Sequence, residues 1–154
     1  MNKKTILTII IFSFLLAGKN YSQYGWWKDK KYKSKEQQQK YDNCKYTFVN
    51  ISDGFMYSNV NYIIPYLQNE VYISIKNEDK GYYNTDQSRY IIEDFLSKYH
   101  SDSFKWKNSV RSENYAFANG KYVYKKDGYL NKLYISVSLK YINDLWLIDQ
   151  IIIN

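Results

Sequence analysis

Between residues 70 and 154 the apolar positions change period twice, from alternation to a helical stripe and back to alternation. That order predicts a strand pair, one amphipathic helix and then a run of long antiparallel strands. Val71, Ile73 and Ile75 share one face of a strand over 71–76, residues 77–81 are turn material, and Tyr82 and Tyr83 begin the return strand. Thr85 is placed to cap the helix that follows, with Asp86 in its first turn, where the helix dipole favours an acid. Ile91, Ile92, Phe95, Leu96 and Tyr99 form its apolar face, and Lys98 and His100 suit its negative end. Upstream, Phe48, Ile51 and Phe55 recur at helical spacing over 46–57, a stripe weakened by Asp53 and Gly54. Ser58 or Asn59 caps a second short helix that ends before Pro65.

After the central helix, Phe104 and Trp106 alternate with Lys105 and Lys107, a half-buried strand. Tyr115 and Phe117 share one parity while Tyr122 and Tyr124 share the other, which predicts a bulge at Asn119-Gly120. A tight hairpin at the same dipeptide is the competing reading. Asp127-Gly128 is a hairpin turn into a strand with Leu133, Ile135, Val137, Leu139 and Tyr141 on one face, and Asn143-Asp144 turns the chain again. The last strand, 145–153, is largely apolar on both parities. In an antiparallel sheet with helices on one side, a second apolar face implies a partner. The face carrying Trp146, Ile148, Gln150 and Ile152 is therefore the expected interface for a homodimer or a docked protein.

The amino-terminal segment changes the picture from fold to compartment. Lys3 and Lys4 precede an apolar run over 6–17, short for a bilayer core of about 30 Å and of the length of a secretory h-region. Residues 1–22 are read as a signal peptide, with an uncleaved anchor as the alternative, and the protein as exported to the periplasm or the extracellular space. The formal net charge of +7 then falls to +4, because Lys3, Lys4 and Lys19 leave with the signal. Residues 24–45 carry all of that excess, and 46–154 hold twelve charges of each sign. The basic character belongs to the segment 23–45, a polar tether or helix extension, and a basic nucleic-acid-binding domain is excluded. Trp26 and Trp27, just before the lysines, are candidates for peripheral contact with a membrane surface.

Nineteen tyrosines suggest an aromatic surface for sugars or peptides, although Tyr, Lys, Asn and Ile also share A/T-rich codons. Tyrosine suits half-buried strands for its own reason, since the ring packs while the hydroxyl stays wet.

The order of helices, strand pair, helix and four closing strands resembles the nuclear transport factor 2-like cone. Within that fold the chain is similar to a family of exported bacterial domains of unknown function. The resemblance covers about 46–154 and rests on 70–76, on 87–99 with its Tyr-Ile-Ile-Glu-Asp-Phe-Leu core, and on the closing Leu-Trp-Leu-Ile-Asp-Gln-Ile-Ile-Ile. It implies an α+β architecture in which a curved antiparallel sheet packs on about three N-terminal and central helices. Enzymes of the wider superfamily place acids and bases inside the cone, and fold alone does not transfer that activity.

Candidate chemistry is sparse. One His and one Cys exclude the usual clustered metal sites, and neither Gly-x-Gly-x-x-Gly nor Gly-Lys-Ser/Thr occurs, so no metal or cofactor is expected. Cys44 has no partner within the chain for a disulfide, though pairing with another chain stays open. Asp149 shares a parity with Leu147 and Ile151, which would turn it into the cone. A buried carboxylate there is a candidate general base, with Tyr83, Tyr122 and Tyr124 lining a ligand pocket around it. Alternatively it points outward and pairs with a lysine or a tyrosine hydroxyl. The chain is thus expected to be a non-enzymatic exported module that binds a protein partner or a small apolar ligand. A cofactor-free cone-fold isomerase, dehydratase or hydrolase is the alternative.

Overall fold

The computed structural model describes residues 25–28 and 31–154. The signal peptide expected over 1–22 lies outside the described residues. Helix α1 (Lys35–Met56) is followed by two single 3-10 turns, Val60–Tyr62 and Ile64–Tyr66, then β1 (Leu67–Ile75) and β2 (Lys80–Asn84). Helix α2 (Thr85–Lys98) leads into β3 (Ser101–Arg111), β4 (Tyr115–Lys126), β5 (Tyr129–Ile142) and β6 (Leu145–Ile153). The six strands form one curved sheet in the order β2-β1-β6-β5-β4-β3, antiparallel everywhere except between β1 and β6. The helices cover one face of it.

Helix α1 begins eleven residues before the expected apolar stripe, so 35–45 is the helix extension and not a solvated tether. Ser34 Oγ accepts from Gln37 N (3.1 Å), which satisfies one free N–H of the first turn, and Gln37 Oε1 accepts from Lys33 N (2.9 Å), which ties down the residue before the cap. Tyr41 and Cys44 then continue the stripe of Phe48, Ile51 and Phe55 toward the N-terminus, all of them buried. Gly54 does not break the helix. A Cβ there would stand 2.5 Å from Ile63 Cγ1, so the missing side chain is what lets the following turn pack on α1. The cap of α2 is Asn84, one residue before the expected Thr85, and it forms a reciprocal capping box with Gln87.

Both expected hairpin turns form. Asp127 and Gly128 have φ of 53° and 83°, and Asn143 and Asp144 have 49° and 63°, the left-handed pairs that a two-residue hairpin requires. The expected bulge at Asn119-Gly120 does not. Strand β4 pairs with β5 without a break, turning Ala116, Ala118, Gly120 and Tyr122 inward and Tyr115 and Phe117 outward. The irregularity sits on the neighbouring strand, where β3 slips register between Trp106 and Asn108. Gly120 serves packing instead: a Cβ would lie 2.5 Å from Phe104 Cζ, so the Phe104 ring rests directly on the β4 backbone.

Strand β6 carries a second unforeseen bulge. Leu139 pairs with Ile148 and Ser138 with Gln150, leaving Asp149 as the extra residue. The bulge reverses parity midway, so Trp146, Ile148, Ile151 and Ile153 all face the helices and are buried. A strand that reads as apolar on both faces is therefore largely one-faced. Trp146 and Ile148 are core residues and not the expected interface; Gln150 and Ile152 alone of that set face outward, half-buried.

Candidate binding groove on the outer sheet face

The interior of the cone is filled by aromatic rings. Phe48 and Phe55 from α1, Phe95 from α2, Phe104 from β3 and Tyr122 from β4 are all buried, with Phe55 and Phe104 5.3 Å apart and Phe95 and Tyr122 5.5 Å apart. Tyr122 donates its hydroxyl hydrogen to the Tyr99 carbonyl oxygen. Burial pushes the Tyr122 phenol above its ordinary range, against a smaller opposite pull from the neighbouring Ser58 and Ser101. Tyr124 packs edge-on against Tyr99 at 5.0 Å, and Tyr83 is half-buried on β2. The three tyrosines expected to line a pocket around Asp149 instead pack among other side chains, away from the carboxylate.

Asp149 lies on the opposite face of the sheet. The bulge turns its carboxylate outward, where Oδ1 meets Lys140 Nζ at 2.7 Å. That hydrogen bond, ahead of the plain charge attraction, holds the Lys140 ammonium above its ordinary range. The expectation of a base inside the cone is overturned, and the outward pairing with a lysine is what forms. The one-residue insertion is invisible to a parity count, which is why Asp149 reads as inward in the sequence.

Trp26 and Trp27 also differ from the membrane-surface expectation. They are 8% and 5% exposed, packed at the end of the cone against Phe48 at 6.0 and 6.3 Å. Ser109 Oγ donates to the Trp26 carbonyl oxygen (2.8 Å), and the Arg111 guanidinium lies 4.3 Å over the Trp27 ring. Rings held this way have no free face for lipid. Cys44 is fully buried beneath the same region, which closes it to pairing with another chain, and desolvation pushes its thiol far above the ordinary range. His100 is exposed after α2. Among the described residues, no group of three or more His, Cys, Asp or Glu is arranged to hold a metal, and no helix is long and apolar enough to cross a membrane.

What the outer face offers is a groove of about 750 Å³ above the seam of β1 and β6. Gln68 and Tyr72 from β1, Tyr82 from β2, Lys140 from β5 and Asp149 and Gln150 from β6 line it. Tyr82 is 69% exposed and meets Tyr72 edge-on at 5.1 Å. None of these except Asp149 and Gln150 stood out in the sequence. The available signal was the polar run Gln68-Asn69-Glu70, which delays the alternation of β1 until Val71.

The model of a domain of unknown function, DUF4783, matches residues 48–154. The chain belongs to the DUF4783 family. No curated protein matches it. Among solved structures, a DUF4783 family protein from Bacteroides ovatus is 14% identical, with a TM-score of 0.62 over 68% of this chain and 90% of that one. A second DUF4783 protein, from Bacteroides uniformis, is 16% identical, with a TM-score of 0.63 over 68% and 93%. The protein Rd1NTF2_04 with long sheet is 8% identical, with a TM-score of 0.59 over 71% and 98%. At these identities the likeness is one of fold, and it establishes the NTF2-like cone for this DUF4783 domain.

Proposed function

We propose that this DUF4783 domain is an exported, non-enzymatic binding module that works through the outer face of its sheet. The observation that carries the reading is the placement of Asp149: a cone-fold enzyme needs an acid or base inside the cone, and here the carboxylate is outside, beside an open groove, while rings fill the interior. Small-molecule sites are concave, with a few convergent polar groups, and the groove has both properties. The segment over 1–22, read as a signal peptide, supports export.

Native mass spectrometry of the mature protein, taken from its own exported fraction, tests the proposal. The expected spectrum carries a dissociable adduct that is lost from Tyr82→Ala. An adduct that persists in that variant overturns the outer-face reading, and recovery of the chain only from the cytoplasm overturns export.

A further inference from the structure

The β1–β6 ladder is interrupted in the middle of the sheet. Leu67 pairs with Ile148 and Tyr72 with Gln150, so residues 68–71 of β1 stand against Asp149 alone. The arch formed there presents Gln68, Asn69 and Glu70 to the groove, in a strand whose inward positions Val71, Ile73 and Ile75 are buried and apolar. Gln68 Nε2 is buried with no hydrogen-bond partner. Buried amide groups are normally satisfied, and this donor, which has no exposed surface, meets a ligand acceptor only once the Gln68 side chain turns toward the groove.

The remaining lining defines the chemistry of that ligand. The exposed Tyr82 ring, braced by Tyr72, offers a flat aromatic face. Lys140 supplies donors only, Asp149 acceptors only, and Gln68 and Gln150 supply both. A pyranose ring has the complementary structure, with C–H groups that sit on an aromatic face and hydroxyls at its rim that both donate and accept. A peptide strand recognised through its backbone needs a free sheet edge. Here the ladder closes again on either side of the break, so the seam beneath the groove offers no edge; the free edges of the sheet are β2 and β3.

We infer that the groove is a saccharide-binding site, with Tyr82 as the stacking platform and Gln68, Lys140, Asp149 and Gln150 as the hydroxyl-reading set. The inference rests on the reading of the outer face as the binding surface. The test is titration of the mature protein with cellotetraose, maltotetraose and the β-linked tetramer of N-acetylglucosamine, followed by NMR shifts and calorimetry. Tyr82→Ala and Asp149→Asn are titrated in parallel, each checked for an unchanged urea midpoint. At least one tetrasaccharide is expected to bind, with affinity at least 10-fold lower in Tyr82→Ala and also lower in Asp149→Asn. Binding of none of the three, or equal binding to Tyr82→Ala, overturns the assignment. A Tyr82-dependent adduct in the native spectrum that is a peptide or protein overturns the saccharide while leaving the binding module standing. An adduct indifferent to Tyr82 removes both.

Discussion

The indole Nε1 of Trp106 donates to the Phe48 carbonyl oxygen across 3.0 Å, a buried bond between β3 and α1. Trp26 packs on both partners, 6.0 Å from the Phe48 ring and 6.1 Å from Trp106, so residues well before the family match complete the core of the domain. Truncating a buried Trp to Ala costs about 3–5 kcal/mol through lost burial and the cavity left behind. Trp26→Ala is therefore expected to lower the urea midpoint sharply, as read by circular dichroism. A midpoint unchanged from the parent would mean that the segment 25–28 does not belong to the folded core.

Gly120→Ala is expected to destabilise the domain by about 1–3 kcal/mol, the usual range for overpacking a dense core. The added Cβ meets Phe104 Cζ at 2.5 Å and Trp106 Cε3 at 3.0 Å, and both rings are buried, so the core must shift to admit it. Chemical denaturation of the single variant checks it. A double variant, Gly120→Ala with Phe104→Leu, should recover part of the loss, because the shorter side chain vacates the contact.

Much of the architecture is legible in the sequence because burial imposes a period. The faces of β1, α2 and β5 follow from Val71, Ile73 and Ile75, from Ile91, Ile92, Phe95 and Leu96, and from Ile135, Val137 and Leu139, all of them buried. Bulges are where the reading fails. An extra residue at Asp149 exchanges inside for outside, and the flanking residues carry no local mark of it, since apolar side chains occupy both parities. The same insertion sends the one candidate base out of the cone. Tyr72, Tyr82 and Lys140 were hidden for a different reason: they converge only through the pairing of two strand pairs, β1 with β2 and β5 with β6, that lie far apart in the chain.

Cys44 is expected to be silent toward thiol reagents in the native protein. The thiolate is the reactive species, and burial holds the Cys44 thiol far above its ordinary range, against a smaller opposing pull from Arg111. Labelling with a chromogenic disulfide at pH 8 should proceed at the rate of unfolding and become immediate in concentrated urea. Fast labelling of the folded chain would show that α1 opens locally around Cys44.

Stability should fall on the alkaline side, in two stages. Cys44 and Tyr122 both hold their protons more tightly in the folded chain than in the unfolded one, in each case chiefly because burial disfavours the charged form. Below the unfolded values both states keep these protons and stability does not depend on them. Above about pH 8.5 the unfolded chain sheds the thiol proton, and above about pH 10 the phenol proton. The folded chain retains both, so unfolding becomes progressively easier until the pH passes the folded values and the loss is complete. Urea midpoints measured from pH 7 to 11 should decline from the first threshold and steepen at the second. Cys44→Ala should remove the early decline, and Tyr122→Phe should soften the later one. Tyr41, Tyr66, Tyr99 and Tyr141 are raised in the same direction, so the later decline persists in part without Tyr122. A midpoint that stays flat to pH 11 would mean that the rings filling the cone are wet.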